Sequence, residues 1–132
     1  MRRSYTHDMQ GGTVMERLLL VEPNLLFRDG LALLLEWRTG LSSVHAGSLA
    51  EAKSILGEAN QKPDCVIVDL DLPDGDGAEL LKQLNGLPVL ALIKGRSMER
   101  RVQALRSGAD EVVRTTQPPE RIIAAVERLI GR

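Results

Sequence analysis

Five acidic residues of this 132-residue chain follow two short apolar runs. Glu22 follows the first run, and Asp69 ends the second run, with Asp71, Asp74 and Asp76 directly after it. Carboxylates that converge repel one another unless a proton or cation relieves them. They are also the oxygen ligands that Mg²⁺ takes, and an aspartate can accept a phosphoryl group as a nucleophile. Asp69 is the candidate nucleophile, whereas a turn-forming role is the alternative for the three that follow it.

The elements that would position these carboxylates alternate along the chain. Five short apolar runs predict strands, and each is followed by a segment with helical periodicity or capping signals. The predicted strands are residues 17–22, 43–46, 64–69, 88–93 and 111–114. This alternation predicts a parallel sheet with helices on both faces. Ligands then bind at the carboxyl ends of the strands, which selects residues 22–24, 69–77, 93–97 and 114–117.

Composition excludes several functional classes. Three aromatic residues, a net charge of −1 and a pI near 6.1 argue against a nucleic-acid surface on this chain. The single cysteine, Cys65, cannot form an internal disulfide, and no apolar stretch approaches the roughly 18 residues of a membrane span. We expect a cytoplasmic location, a flexible leader over residues 1–15 and one domain over residues 16–132.

One segment carries a strong family resemblance. Residues 63–77 read PDCVIVDLDLPDGDG, and weaker matches are RDGL at 28–31, PV at 88–89 and GAD at 108–110. Residues 17–131 therefore resemble the receiver domain of two-component response regulators. The resemblance implies an α/β, flavodoxin-like (βα)5 three-layer sandwich, with a five-stranded parallel sheet of order 2-1-3-4-5. RDGL and the PPE at 118–120 resemble regulators that carry a helix-turn-helix output domain, which would mean transcription regulation.

The resemblance also implies roles for individual residues. Asp69 would receive a phosphoryl group from a histidine kinase, making this a phosphorelay component and a phosphoprotein. Mg²⁺ would lie between Asp69, Glu22 and the position of Asp71. A hydroxyl after the fourth strand and a lysine after the fifth would bind the phosphoryl oxygens, because a transferring phosphoryl group needs its charge neutralised.

This sequence departs from the family at four positions of the phosphorylation site and its surroundings. Pro23 replaces the second metal-binding carboxylate, and Ile93 replaces the hydroxyl. Thr115 replaces the lysine. Val112 replaces an aromatic residue of the fifth strand, whose ring swings inward when a member of the family switches state. We therefore expect weak Mg²⁺ binding and slow phosphorylation, since losing one such electrostatic donor commonly costs about 10²–10³ in rate.

Some residues could compensate for these losses or form the output surface. Lys94 and Arg114 are candidate replacement cations, and Asp71 could supply a side-chain oxygen to a metal. The face that serves as output or dimer surface in the family would carry charged residues of both signs. These are Arg100, Arg101, Arg106, Glu111, Arg121 and Arg128.

The sequence thus predicts a non-enzymatic, atypical receiver that acts through contacts with a histidine kinase or another signalling protein, or as a homodimer. The first alternative is a fully phosphorylatable receiver that controls a DNA-binding domain. A small Mg²⁺-dependent phosphatase would need a second acid–base group, for which only exposed carboxylates are candidates. A nucleotide or flavin binder would need a glycine-rich phosphate loop after the first strand, where Pro23 stands instead.

Overall fold

The computed structural model describes residues 17–58, 60 and 62–131, so the predicted leader over residues 1–15 lies outside the described residues. The strands are β1 (Arg17–Val21), β2 (Ser42–Ala46), β3 (Cys65–Asp69), β4 (Asp71–Leu72), β5 (Gly75–Asp76), β6 (Val89–Ile93) and β7 (Glu111–Arg114). The helices are α1 (Leu25–Thr39), α2 (Leu49–Leu56), α3 (Ala78–Leu81), α4 (Met98–Ser107) and α5 (Pro119–Leu129).

Five strands form one parallel sheet in the order β2-β1-β3-β6-β7. When the five long strands are numbered along the chain, this is the predicted order 2-1-3-4-5, which is confirmed. The sequence did not predict β4 and β5, a two-stranded antiparallel hairpin inside the acidic segment. The acidic segment that follows β3 therefore contains regular backbone pairing.

The core lies on both faces of the sheet, as the continuous apolar runs predict. Alternate strand residues face opposite sides, so Leu19 and Val68 pack with α2, α3 and α4, whereas Leu20 and Ile67 pack with α1 and α5. Cys65 belongs to the second cluster, and burial raises the pKa of its thiol to about 12. The three-layer arrangement fixes the carboxyl ends of β1, β3, β6 and β7 along one edge.

Over the residues that the structure describes, no helix is both long and apolar enough to cross a membrane.

Candidate functional site

Glu22 and Asp69 meet at the carboxyl edge of the sheet. Glu22 directly follows β1 and Asp69 ends β3, and these strands are neighbours, with Val21 opposite Val68. Both acidic residues are almost fully buried, with 3% of Glu22 and 1% of Asp69 exposed. Buried ionised carboxylates carry a large desolvation cost, so this pair needs protons or donors to be stable.

Backbone donors hold one oxygen of each side chain. The Asn24 N–H donates to Glu22 Oε2 at 3.0 Å, and the Asp71 N–H donates to Asp69 Oδ1 at 2.8 Å. The second oxygen of Glu22, Oε1, is buried and has no N–H or O–H donor among the described residues when both carboxyls are ionised. A proton held between the two carboxyls relieves both their repulsion and the desolvation of the pair.

The electrostatics agree with a shared proton. Burial first, and then the Asp69 carboxylate, raise the pKa of Glu22 to about 7, against the lowering effect of the Asn24 N–H. Burial also raises the pKa of Asp69, against the lowering effects of the Asp71 N–H and the hydrogen bond with Glu22. The pair therefore retains a proton at pH values where two solvated carboxyls would both be ionised.

Lys94 and Arg114, the two candidate replacement cations, have different surroundings in the structure. Lys94 is exposed, and its charge lowers the pKa of both Glu22 and Asp69. In the described part of the chain, however, no ion pair within 4.0 Å joins it to Asp69. Arg114 ends β7 opposite Ile93 and borders a separate cavity with Arg101. Lys94 thus acts on the pair at a distance, whereas Arg114 is not among the groups that shift the pKa of Glu22 or Asp69.

Arg100 is the cation that contacts the acidic segment, which the sequence analysis did not anticipate. Its guanidinium makes two hydrogen bonds of 2.9 Å to the Asp76 carboxylate and one of 3.2 Å to the Leu70 carbonyl. Asp71 Oδ1 lies 3.6 Å from the same group. The sequence signal for this contact is weak, because a charged residue in the first turn of a helix usually remains solvated.

Three further contacts fix the acidic segment. Asp74, one of the candidate turn formers, accepts hydrogen bonds from the Leu49 and Ala50 N–H groups at 2.7 and 2.9 Å and so caps α2 from outside. Asp76 Oδ1 also accepts from the Ala78 N–H at 2.9 Å. Gly77 is required because a Cβ there would lie 2.8 Å from the Asp69 carbonyl oxygen. Asp74 and Asp76 therefore have structural roles in this segment.

The four residues that depart from the family pattern lie on or just after β1, β6 and β7. Ile93 is buried at the end of β6, and its carbonyl accepts from the Thr115 N–H at 2.8 Å. Val112 is buried in the core on β7. Pro23 borders a cavity that also has Asp71, Asp76 and Arg100 in its wall. Ile93 carries no hydroxyl and Val112 carries no aromatic ring, whereas Thr115 carries a hydroxyl in place of the lysine.

The residues present form a poor site for a magnesium ion. Within the described ranges, no group of three or more acidic, histidine or cysteine side chains is arranged to hold a metal. Glu22 and Asp69 provide two carboxylates, Pro23 provides none, and Asp71 lies against the Arg100 guanidinium. Mg²⁺ is usually bound through one or two carboxylates and keeps several waters in octahedral geometry, so the burial of this pair leaves little room for those waters.

Three of the residues predicted for an output face make side-chain contacts at β7. Arg128 and Glu111 form an ion pair at 2.6 Å, and Arg101 donates to the Val112 carbonyl at 3.3 Å. Arg106 and Arg121 are exposed. Arg100 instead pairs with the acidic segment, as described above, so five of the six predicted residues remain for that face.

Comparison with known proteins agrees with this architecture. The family model for the response regulator receiver domain matches residues 18–127. The virulence transcriptional regulatory protein PhoP of Salmonella typhimurium is 36% identical over 122 residues, which cover 89% of this chain and 53% of that protein. The transcriptional regulatory protein PhoP of Escherichia coli is 34% identical over 120 residues, covering 88% and 52%. The chain spans about half the length of these curated relatives.

Solved structures show the same fold. A two-component response regulator of the LuxR family from Aurantimonas has a TM-score of 0.79 and 27% identity, with 89% of this chain and 86% of that chain covered. A CheY-like receiver domain protein from Methanospirillum hungatei has a TM-score of 0.78 and 23% identity, with 89% and 94% covered. The family match, the sheet order and the buried aspartate at the end of β3 agree, and the chain belongs to the response regulator receiver domain family of two-component signalling.

Proposed function

We propose that this chain is a degenerate receiver domain, which signals mainly through protein contacts and undergoes little or no phosphorylation at Asp69. The observation that carries this proposal is the buried pair of Glu22 and Asp69. An acceptor carboxylate must be ionised and accessible to attack a phosphoryl group. Here the carboxyl group is covered, and a neighbouring acid favours retention of a proton next to it.

The surroundings of the pair support the same conclusion. Phosphoryl transfer depends on cations and donors that neutralise charge as it develops. Ile93 supplies no hydroxyl, Thr115 supplies no charge, and the two buried carboxylates provide a poor site for Mg²⁺. We therefore propose weak Mg²⁺ binding and no catalytic turnover of phosphate esters.

Partners follow from the family and from the surface. Receiver domains interact with histidine kinases and phosphotransfer proteins, and the curated relatives are transcriptional regulators. We propose that this chain contacts a signalling protein, or a second copy of itself, through the face that includes Glu111 and Arg128. A DNA-binding domain elsewhere in the whole protein would be its output.

Intact-mass spectrometry after incubation with Mg²⁺ and acetyl phosphate tests the proposal. We expect no phosphoryl adduct, or one formed at least about 10²-fold more slowly than on a conventional receiver treated in parallel. Asp69→Asn is the matched control for modification at other sites. Rapid formation of one adduct on the wild type, absent from Asp69→Asn, would contradict the proposal and favour a fully phosphorylatable receiver.

A further inference from the structure

Arg100 joins four parts of the molecule at one point. It lies in the first turn of α4, and its side chain is 24% exposed. Nη1 donates to Oδ2 of Asp76 and Nη2 donates to Oδ1, both at 2.9 Å. Nη2 also donates to the Leu70 carbonyl at 3.2 Å. A planar guanidinium suits this fork-to-fork arrangement, which is among the stronger polar contacts in proteins.

The contacts of Asp76 extend this connection. Asp76 Oδ1 accepts a hydrogen bond from the N–H of Ala78, the first residue of α3. On the backbone, Asp76 lies opposite Asp71 in the hairpin of β4 and β5. Asp71 in turn donates its N–H to Asp69 Oδ1. Arg100 therefore connects α4 to the hairpin, to the start of α3 and, through Asp71, to the orientation of the acceptor carboxyl. The guanidinium also lowers the pKa of Asp76, which keeps that partner ionised.

We propose that the Arg100 guanidinium, instead of a metal ion, is the resident cation that orders the acceptor segment, residues 70–78, and holds it against α4. Arg100 is then a positioning residue for Asp69. A divalent cation that drew Asp71 toward the carboxyl pair would have to compete with the guanidinium for that side chain. The order of the segment is consequently independent of Mg²⁺.

This inference deepens the proposed function, because it explains how the segment stays ordered without the metal. The two ideas can fail separately, since no phosphoryl donor is needed to test the role of Arg100. The natural comparison is Arg106, an exposed arginine on the same helix, for which the structure shows no ion pair within the described ranges.

Hydrogen exchange of the Asp71 and Ala78 amides tests the proposal on the whole chain, with EDTA or with MgCl₂. We expect the wild type and Arg106→Gln to show equal protection in both conditions. Arg100→Gln should exchange at these amides about tenfold faster or more in EDTA, and Mg²⁺ should restore part of the protection. Arg100→Lys should be intermediate, because a point charge cannot make the paired contact.

The amides of β1 serve as the internal reference for global folding and should be unchanged. Loss of wild-type protection in EDTA would overturn the proposal, and that comparison requires no variant to fold. Arg100→Gln with wild-type exchange would also overturn it. So would rapid exchange in Arg100→Gln that Mg²⁺ cannot slow, because the guanidinium would then be a packing element without the role of a cation.

Discussion

Replacing Glu22 by glutamine should remove a penalty that the folded protein carries at neutral pH. The folded state holds a proton on Glu22 up to about pH 7, whereas the unfolded chain releases it near 4.5. A raised carboxyl pKa contributes stability that is fully present below pH 4.5 and is lost as the pH rises through about 7. Each pKa unit corresponds to about 1.4 kcal/mol, so this rise amounts to about 3 kcal/mol.

Glutamine keeps an oxygen for the Asn24 N–H and gains an amide that can donate to Asp69. Because Asp69 shares the proton with Glu22, the variant should recover about 1–2 kcal/mol of that amount at pH 8. The assay is urea unfolding from pH 5 to pH 8 in EDTA. The wild-type midpoint should fall over this range, and Glu22→Gln should show a smaller fall and a higher midpoint at pH 8.

The comparison of the wild type with Glu22→Gln must account for His45, which also titrates in this range, and it needs a control at an exposed glutamate. Burial and the Arg28 charge lower the pKa of His45, which gives a pH dependence of opposite sign below about pH 6.5. This contribution is present in both proteins and cancels in their difference. Glu79→Gln, at an exposed position, is the matched control and should follow the wild type. A Glu22→Gln protein with the wild-type slope, or with lower stability at pH 8, would refute the reasoning.

Three further outcomes are expected. Gly77→Ala should destabilise the fold by about 1–3 kcal/mol in urea unfolding, because the added Cβ would meet backbone atoms. Its control is Gly30→Ala on the open face of α1, where alanine favours the helix and should stabilise the fold by about 0.5–1 kcal/mol. Asp74→Ala should lower the urea midpoint by removing both hydrogen bonds that Asp74 accepts from the first turn of α2, with no change in the slope against pH between 6 and 8. Pro23→Asp should tighten Mg²⁺ binding about tenfold or more in calorimetry by adding a carboxylate next to Glu22, and unchanged affinity would show that the missing ligand is not what limits the site.

The fold was predictable from this sequence because its signals are local and repeated. Five apolar runs alternating with helical segments allow few arrangements other than a parallel sheet covered on both faces. The placement of Glu22 and Asp69 followed from the same argument, since the carboxyl ends of neighbouring parallel strands must meet. The motif at residues 63–77 then identified the family, and the comparisons confirmed it.

The details of the site depend on distant contacts that no local pattern encodes. The sequence indicated Lys94 and Arg114 because they stand next to the lost family positions. The structure instead brings Arg100 to the acidic segment through the angle of the first turn of α4. Asp74 resembled an ordinary turn residue because its partners lie about 25 positions away on α2. Such contacts become visible only when the elements are packed.

The proposed function depends on protonation of the buried pair, and carboxyl-carbon NMR detects that protonation at each side chain. The side-chain carboxyl signals of Glu22 and Asp69 would be followed from pH 4 to pH 9 in EDTA, with Glu22→Gln as the assignment control. The account predicts that the Glu22 signal titrates near pH 7, and that the Asp69 signal titrates above its ordinary value of 3.8 and shifts when Glu22 is replaced. Independent titration of both groups near 4 would contradict it and would leave Asp69 ionised and available at neutral pH.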